Sequence, residues 1–142
     1  MKRIGCILLF FVWLAGIGQA QNNPGHEPVF KIHGPTIIAF YPHVSQKDLD
    51  SGEGDAEAID DFGFYASQVE KRLEKAGVGF FVEETRSFKV RVQGKVNAFR
   101  VGKISIGYYF ITPGKEPHVE YGVMTDEDLV GVAREYFGKR IP

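Results

Sequence analysis

A single cysteine is the feature that most limits what this 142-residue chain can fold into. Cys6 lies within the first twenty residues, so a domain that follows them has no thiol of its own. Such a domain forms no disulfide and offers no thiolate as a nucleophile or metal ligand. Its hydrophobic core alone must therefore stabilise it.

The first twenty residues have the pattern of a secretory signal peptide. Lys2 and Arg3 make a basic start, residues 4–17 are almost entirely apolar, and Gly18 and Ala20 are small residues at the positions that a signal peptidase reads. We expect cleavage after Ala20 and export to a periplasm or to the medium. A membrane anchor fits less well, because a spanning helix needs about 20 apolar residues.

The charge of the exported part argues against two classes of partner. Loss of Lys2 and Arg3 reduces the 17 basic residues to 15, against 18 acidic ones, so the formal charge becomes −3 with neutral histidines. A mildly acidic domain has no overall attraction for nucleic acid or for an anionic membrane. The sequence therefore predicts neither partner once the signal peptide is removed.

The region after the signal peptide begins with a polar segment and continues as one domain, residues 35–140. Residues 21–34 contain proline and glycine and predict an N-terminal tether or a loosely docked arm. The nearly continuous apolar character of residues 36–41 predicts a strand covered on both faces. A helix is predicted from the N-cap Asp55 to about residue 76. Its apolar stripe, spaced by three and four, contains Ile59, Phe62, Ala66, Val69, Leu73 and Ala76.

The second half of the domain predicts strands followed by a helix. Residues 78–84 read as a second strand, and apolar and basic residues alternate over 88–92 in the first strand of a ribbon that returns over 96–101. Residues 104–111 and 118–123 predict an antiparallel pair joined by a turn at Pro113-Gly114. A final helix is predicted after Thr125 and ends at Gly138.

The stretch 106-IGYYFITPGKEPHVEYGVMTDEDLVGVAREYFG-138 resembles the C-terminal half of the thioredoxin-like superfamily. It has a buried strand, a turn with glycine, an antiparallel strand ending in glycine and an amphipathic helix. With the strand at 37–41 and the helix after it, the resemblance covers most of residues 35–138. It implies an α/β domain whose mixed sheet of about four to five strands is flanked by helices, with the ribbon as an insertion.

Two functional marks of that family are absent here. The 40-FYPHVSQKD-48 stretch places Ser45 and Asp48 where the family has Cys-x-x-Cys, and Gly107 stands where the family has a cis-proline. Thiol–disulfide exchange requires a thiolate. We therefore expect no oxidoreductase activity, and the sequence predicts no catalytic residue and no cofactor.

The resemblance also implies a groove that binds a protein or an extended peptide. It would lie between the loops after the first core strand, before the third and before the last helix, with backbone at Gly107 open to strand addition. The candidate binding residues are Tyr41, His43, Val44, Ser45, Gly107, Tyr121 and Gly122. Phe64 points about 200° away from Phe62 around its helix and predicts either a second contact surface or packing beneath the ribbon.

Two other functions remain alternatives. His43, Ser45 and Asp48 include the residue types of a hydrolytic triad, but triads assemble from separate segments, and one loop whose polar side chains cap backbone groups is the simpler interpretation. The acidic residues from 48 to 57 suggest a calcium loop, although Gly52 and Ile59 occupy two ligand positions. The four histidines show no metal-ligand spacing, so no metal site is predicted.

Overall fold

The computed structural model describes residues 27–52, 56–101 and 105–142. Within them the chain forms a mixed α/β structure with two mixed sheets and three helices. The elements are β1 Val29–Ile32, β2 Thr36–Tyr41, α1 Gln46–Asp50, α2 Ala56–Lys75, β3 Gly79–Glu84, β4 Ser87–Val92, β5 Lys95–Arg100, β6 Gly107–Ile111, β7 His118–Tyr121 and α3 Asp126–Phe137. No helix in these ranges has the length and apolar character needed to cross a bilayer. The predicted signal peptide and Asp55 lie outside the described residues.

The four-stranded sheet has the order β3-β2-β6-β7. Strand β2 is parallel to β3 and antiparallel to β6, and β7 is antiparallel to β6. All five residues from Thr36 to Phe40 are buried, as the apolar run predicted for a strand covered on both faces. Both faces of this sheet must therefore be packed against another layer.

The two long helices cover one face of this sheet. Ile37 and Ala39 of β2 and Tyr108 and Phe110 of β6 point toward them. The buried helical residues are Phe62, Ala66, Val69 and Leu73 of α2 and Leu129, Val130, Ala133 and Tyr136 of α3. The three-and-four spacing predicted the α2 stripe, and it also gives α3 its packing face.

A three-stranded sheet of order β1-β4-β5 covers the opposite face. Its inward residues Phe30, Phe88 and Val90 pack with Ile38 and Phe40 of β2 in a second hydrophobic core. The ribbon predicted over 88–101 is present as the antiparallel pair β4–β5. The flanking helices are thus confirmed on one face only, and a sheet takes the place of helices on the other.

Strand β1 corrects the prediction of a tether for part of residues 21–34 and agrees with the alternative of a docked arm. Residues 29–32 pair in parallel with residues 89–92, and Phe30 and Ile32 are buried. Two apolar residues that alternate with exposed Val29 and Lys31 are enough to dock the segment as an edge strand. Residues 21–26 lie outside the described residues.

Because Gly107 has no side chain, the ring of Phe40 and the backbone of β7 can both lie close to it. A Cβ at this position would lie 2.6 Å from the Phe40 Cζ atom and 2.6 Å from the Glu120 carbonyl oxygen. The backbone of Gly107 pairs with Phe40 on one side and with Tyr121 on the other. The prediction that this backbone is open to strand addition is therefore corrected, because both of its sides are occupied.

Gly107→Ala should lower the free energy of unfolding by about 1–3 kcal/mol, the usual effect of forcing an extra methyl group into a packed core. Urea denaturation measures the change. Gly63→Ala is the matched control, since a Cβ at Gly63 on the exposed side of α2 meets nothing within 4 Å. It should stabilise the protein by about 0.5–1 kcal/mol through helix propensity. Equal stabilities for the two variants would contradict this role of Gly107.

Candidate functional site

A cavity of about 300 Å³ opens where β2 and β3 end and α2 begins. Its walls come from the end of β2 and the loop after it, from α1, from the first turn of α2 and from the end of β3. The lining residues are Tyr41, Pro42, His43, Val44, Leu49, Ala56, Ile59, Asp60 and Glu84. Open α/β sheets bind ligands outside the carboxyl ends of their parallel strands, and this cavity has that position.

Ser45 caps the short helix α1 beside this cavity. Its Oγ donates to Asp48 Oδ2 at 2.6 Å and accepts from the Asp48 backbone N–H at 3.2 Å, and its own N–H donates to Asp48 Oδ2 at 2.9 Å. The Ser45 hydroxyl, with the Ser45 backbone N–H, lowers the pKa of Asp48. The two side chains form a capping box, as the interpretation of a loop with polar caps predicted.

His43 contacts a carboxylate from a different strand. Its Nδ1 meets Glu84 Oε1, and the imidazole is largely exposed. A hydrolytic triad requires the histidine to accept a proton from the nucleophile, whereas Ser45 donates to Asp48 here. The geometry therefore gives no support to the hydrolase alternative.

Tyr41 forms the inner wall of the cavity. Its ring packs on Phe62 of α2 with centroids 5.5 Å apart, on the helical face of the sheet. Burial raises the pKa of Tyr41, and the charge and hydrogen bond of Glu84 and the charge of Glu83 raise it further. The phenol therefore stays neutral. The cavity lining combines the aromatic ring of Tyr41 with the carboxylates of Asp60 and Glu84.

The structure brings some of the predicted binding residues together and separates others. Tyr41, His43 and Val44 line the cavity, with Ser45 next to it in sequence. The strand register places Gly107 and Tyr121 at this same end of the sheet. The Tyr121 ring, however, lies 6.2 Å from Phe40, which belongs to the core on the opposite face. Tyr41 and Tyr121, which were predicted to line one groove, therefore lie on opposite faces of the sheet.

The remaining two candidates lie away from the cavity. The Gly122 N–H donates to the Ile106 carbonyl at 2.8 Å, and its φ of 99° suits glycine. Phe64 is 59% exposed on α2 with its ring 5.4 Å from that of Tyr65. The ribbon covers the other face of the sheet, so the alternative that Phe64 packs beneath it is corrected.

Several wall residues were not predicted from sequence. Glu84 ends a strand far along the chain, and only the parallel register of β2 and β3 places it beside Tyr41. Ile59 belongs to the apolar stripe of α2, which predicted core packing, yet it lies one turn before the sheet contact and faces the cavity. The position of Ile59 at the start of the apolar stripe is the sequence feature that could have indicated a cavity residue.

The acidic segment from 48 to 57 is built from local contacts where it is described. Asp48 belongs to the capping box, and Asp50 accepts from Gln46 Nε2 at 2.9 Å. Residues 53–55 of the calcium loop considered as an alternative lie outside the described residues. In the described part of the chain, no three His, Cys, Asp or Glu side chains are grouped closely enough to hold a metal ion.

Comparison with known proteins gives no relative. No protein-family model matches the chain, and no match is found among curated proteins or solved structures. The interpretation of the site therefore depends on its own geometry.

Glu83, which precedes Glu84 on β3, should make stability depend on pH. Burial raises its pKa above the ordinary 4.5, so the folded state binds the proton more tightly than the unfolded state. Stability from this group is present below pH 4.5 and is lost as the pH rises through the folded pKa. Glu83→Gln should therefore raise the melting temperature at pH 7, with little difference from wild type near pH 4.

Asp48→Asn provides the control of opposite sign. Its hydrogen bonds lower the pKa of Asp48, so the carboxylate stabilises the folded state at neutral pH and that stabilisation is lost in acid. Scanning calorimetry from pH 2 to 7 measures both variants, because the contribution of Asp48 is lost only as the pH falls below 3.8 through its lowered pKa. A Glu83→Gln variant that is less stable than wild type at pH 7 would contradict the assignment.

Proposed function

We propose that this chain is an exported, non-catalytic thioredoxin-like domain whose cavity binds a peptide segment of a partner protein. Support for the fold family comes from the order of the elements: β2, α2 and β3 make a parallel strand–helix–strand unit, and β6, β7 and α3 follow as an antiparallel pair and a helix. The first strand of the unit lies between β3 and β6 in the sheet. This is the arrangement that the resemblance of residues 35–138 implies.

The proposal of export depends on residues 1–20. Their basic start, apolar run and small residues before Gln21 are typical of a signal peptide. Its removal takes away Cys6, the single cysteine of the sequence. The mature protein then has no group for thiol–disulfide exchange. We therefore propose that the scaffold binds a partner.

The cavity is the observation that carries the proposal. Its volume of about 300 Å³ suits one large side chain of a ligand and stands at the lower end of ordinary ligand pockets. Tyr41, Leu49 and Ile59 give it apolar walls, while Asp60 and Glu84 place carboxylates at its edge. A peptide with a large apolar residue next to a basic one fits both features.

A blocking variant tests this site without disturbing the core. Peptides selected from a displayed random library on the wild-type protein should bind Ala56→Trp at least about tenfold more weakly, a change of about 1.4 kcal/mol. Ala56 is exposed and lines the cavity, so an indole there narrows it. Isothermal titration calorimetry with the selected peptides measures the effect.

Gln68→Trp is the matched control, because Gln68 is exposed on the same helix and does not line the cavity. Its affinity for the peptides should equal that of the wild type. Tyr121→Ala should also have no effect, since Tyr121 lies on the opposite face of the sheet. Equal weakening in Ala56→Trp and Gln68→Trp, or selected peptides without an apolar residue, would overturn the proposal.

A further inference from the structure

Charge is distributed unevenly between the layers of this protein. Strands β1, β4 and β5 carry the five cations Lys31, Lys89, Arg91, Lys95 and Arg100 and no acidic residue. The long helices α2 and α3 together carry nine acidic and four basic residues. A nearly neutral sequence therefore presents one basic sheet and one acidic helical layer.

Strand alternation collects most of these cations on one surface. Phe30, Phe88 and Val90 point inward, so their neighbours point away from the core. The strand register then aligns Lys31 with Arg91 and Val96, and Val29 with Lys89 and Ala98. We call this the outer face, formed by Val29, Lys31, Lys89, Arg91, Val96, Ala98 and Arg100.

The cations of the outer face are mostly unpaired. Lys89 Nζ binds Glu27 Oε2 at 3.1 Å, and within the described residues Lys31, Arg91 and Arg100 form no salt bridge. Hydrogen bonds from Lys89 and Ser87 lower the pKa of Glu27, so this surface favours an ionised carboxylate. The contact between Glu27 and Lys89 is an example of how this surface binds an acidic side chain.

We propose that the outer face binds an extended acidic segment of a partner protein. Carboxylates of such a segment would pair with Lys31, Arg91 and Arg100. Its aliphatic side chains would contact Val29 and Val96, which are 47% and 48% exposed. An anionic membrane fits less well, because surfaces that bind membrane interfaces present Trp, Phe or Leu and the outer face has none. This surface is separate from the cavity, so the inference is independent of the proposed function.

Fluorescence anisotropy with a labelled peptide of repeated Glu-Glu-Val-Val tests the inference, because every second side chain of an extended segment points to the same side and this repeat presents Glu and Val together. Lys31→Gln combined with Arg91→Gln should weaken binding about tenfold, since each exposed ion pair contributes up to about 1 kcal/mol. Lys71→Gln combined with Lys75→Gln removes the same charge from exposed positions on α2 and should leave the affinity within about twofold of wild type. Raising the salt concentration should weaken wild-type binding, because the pairs are exposed.

Several results would overturn the inference. One is an equal loss of affinity in the two double variants, which would show attraction to net charge alone. A second is binding of a peptide with Gln in place of Glu as tight as that of the acidic peptide. A third is binding to phosphatidylglycerol vesicles or to single-stranded DNA without binding to the acidic peptide. Ala56→Trp should bind the acidic peptide like wild type; a loss there would assign the peptide to the cavity instead.

Discussion

Burial of β2 on both faces is the constraint on which the rest of the structure depends. Its alternating side chains divide the interior into two cores, with Ile37 and Ala39 in one and Ile38 and Phe40 in the other. Two long helices complete the first core, and a second sheet completes the second. A chain with a single cysteine forms no disulfide within itself, so its stability depends on the apolar surface that these two cores bury.

The residues at and after the end of β2 also shape the cavity. Pro42 ends the strand, and the polar residues that follow satisfy local backbone and strand-end groups: Ser45 and Asp48 cap α1, and His43 meets Glu84. Of these polar residues, His43 lines the cavity, while Ser45 and Asp48 serve to cap α1 beside it. The cavity lining offers the ring of Tyr41 and the carboxylates of Asp60 and Glu84, on which the proposed peptide binding depends.

Sequence periodicity predicted the elements that carry many regularly spaced apolar residues. Helix α2 was expected up to about residue 76 and extends to Lys75, because Phe62, Val69 and Leu73 fix one face by themselves. Strand β1 escaped prediction since its four residues are stabilised by a partner far along the chain, at 89–92. The separation of Tyr41 from Tyr121 could not be predicted either. Two residues at the same end of a sheet can point to opposite faces, because side chains alternate along each strand.

Folding explains the position of acidic residues on α3 better than it explains the cations on β1, β4 and β5. Asp126, Glu127 and Asp128 lie in the first turn of α3, where the helix dipole favours acids, and Arg72 binds Asp126 at 3.2 Å and Glu127 at 2.7 Å. Lys31 and Arg91 stabilise neither a helix end nor a described ion pair, and these two aligned cations on neighbouring strands repel one another. Arg100 forms no described salt bridge, although its charge helps to lower the pKa of Glu27. Such cations on an exposed sheet face also keep the strands from pairing with other chains, and they match in charge the acidic segment that we propose as the ligand.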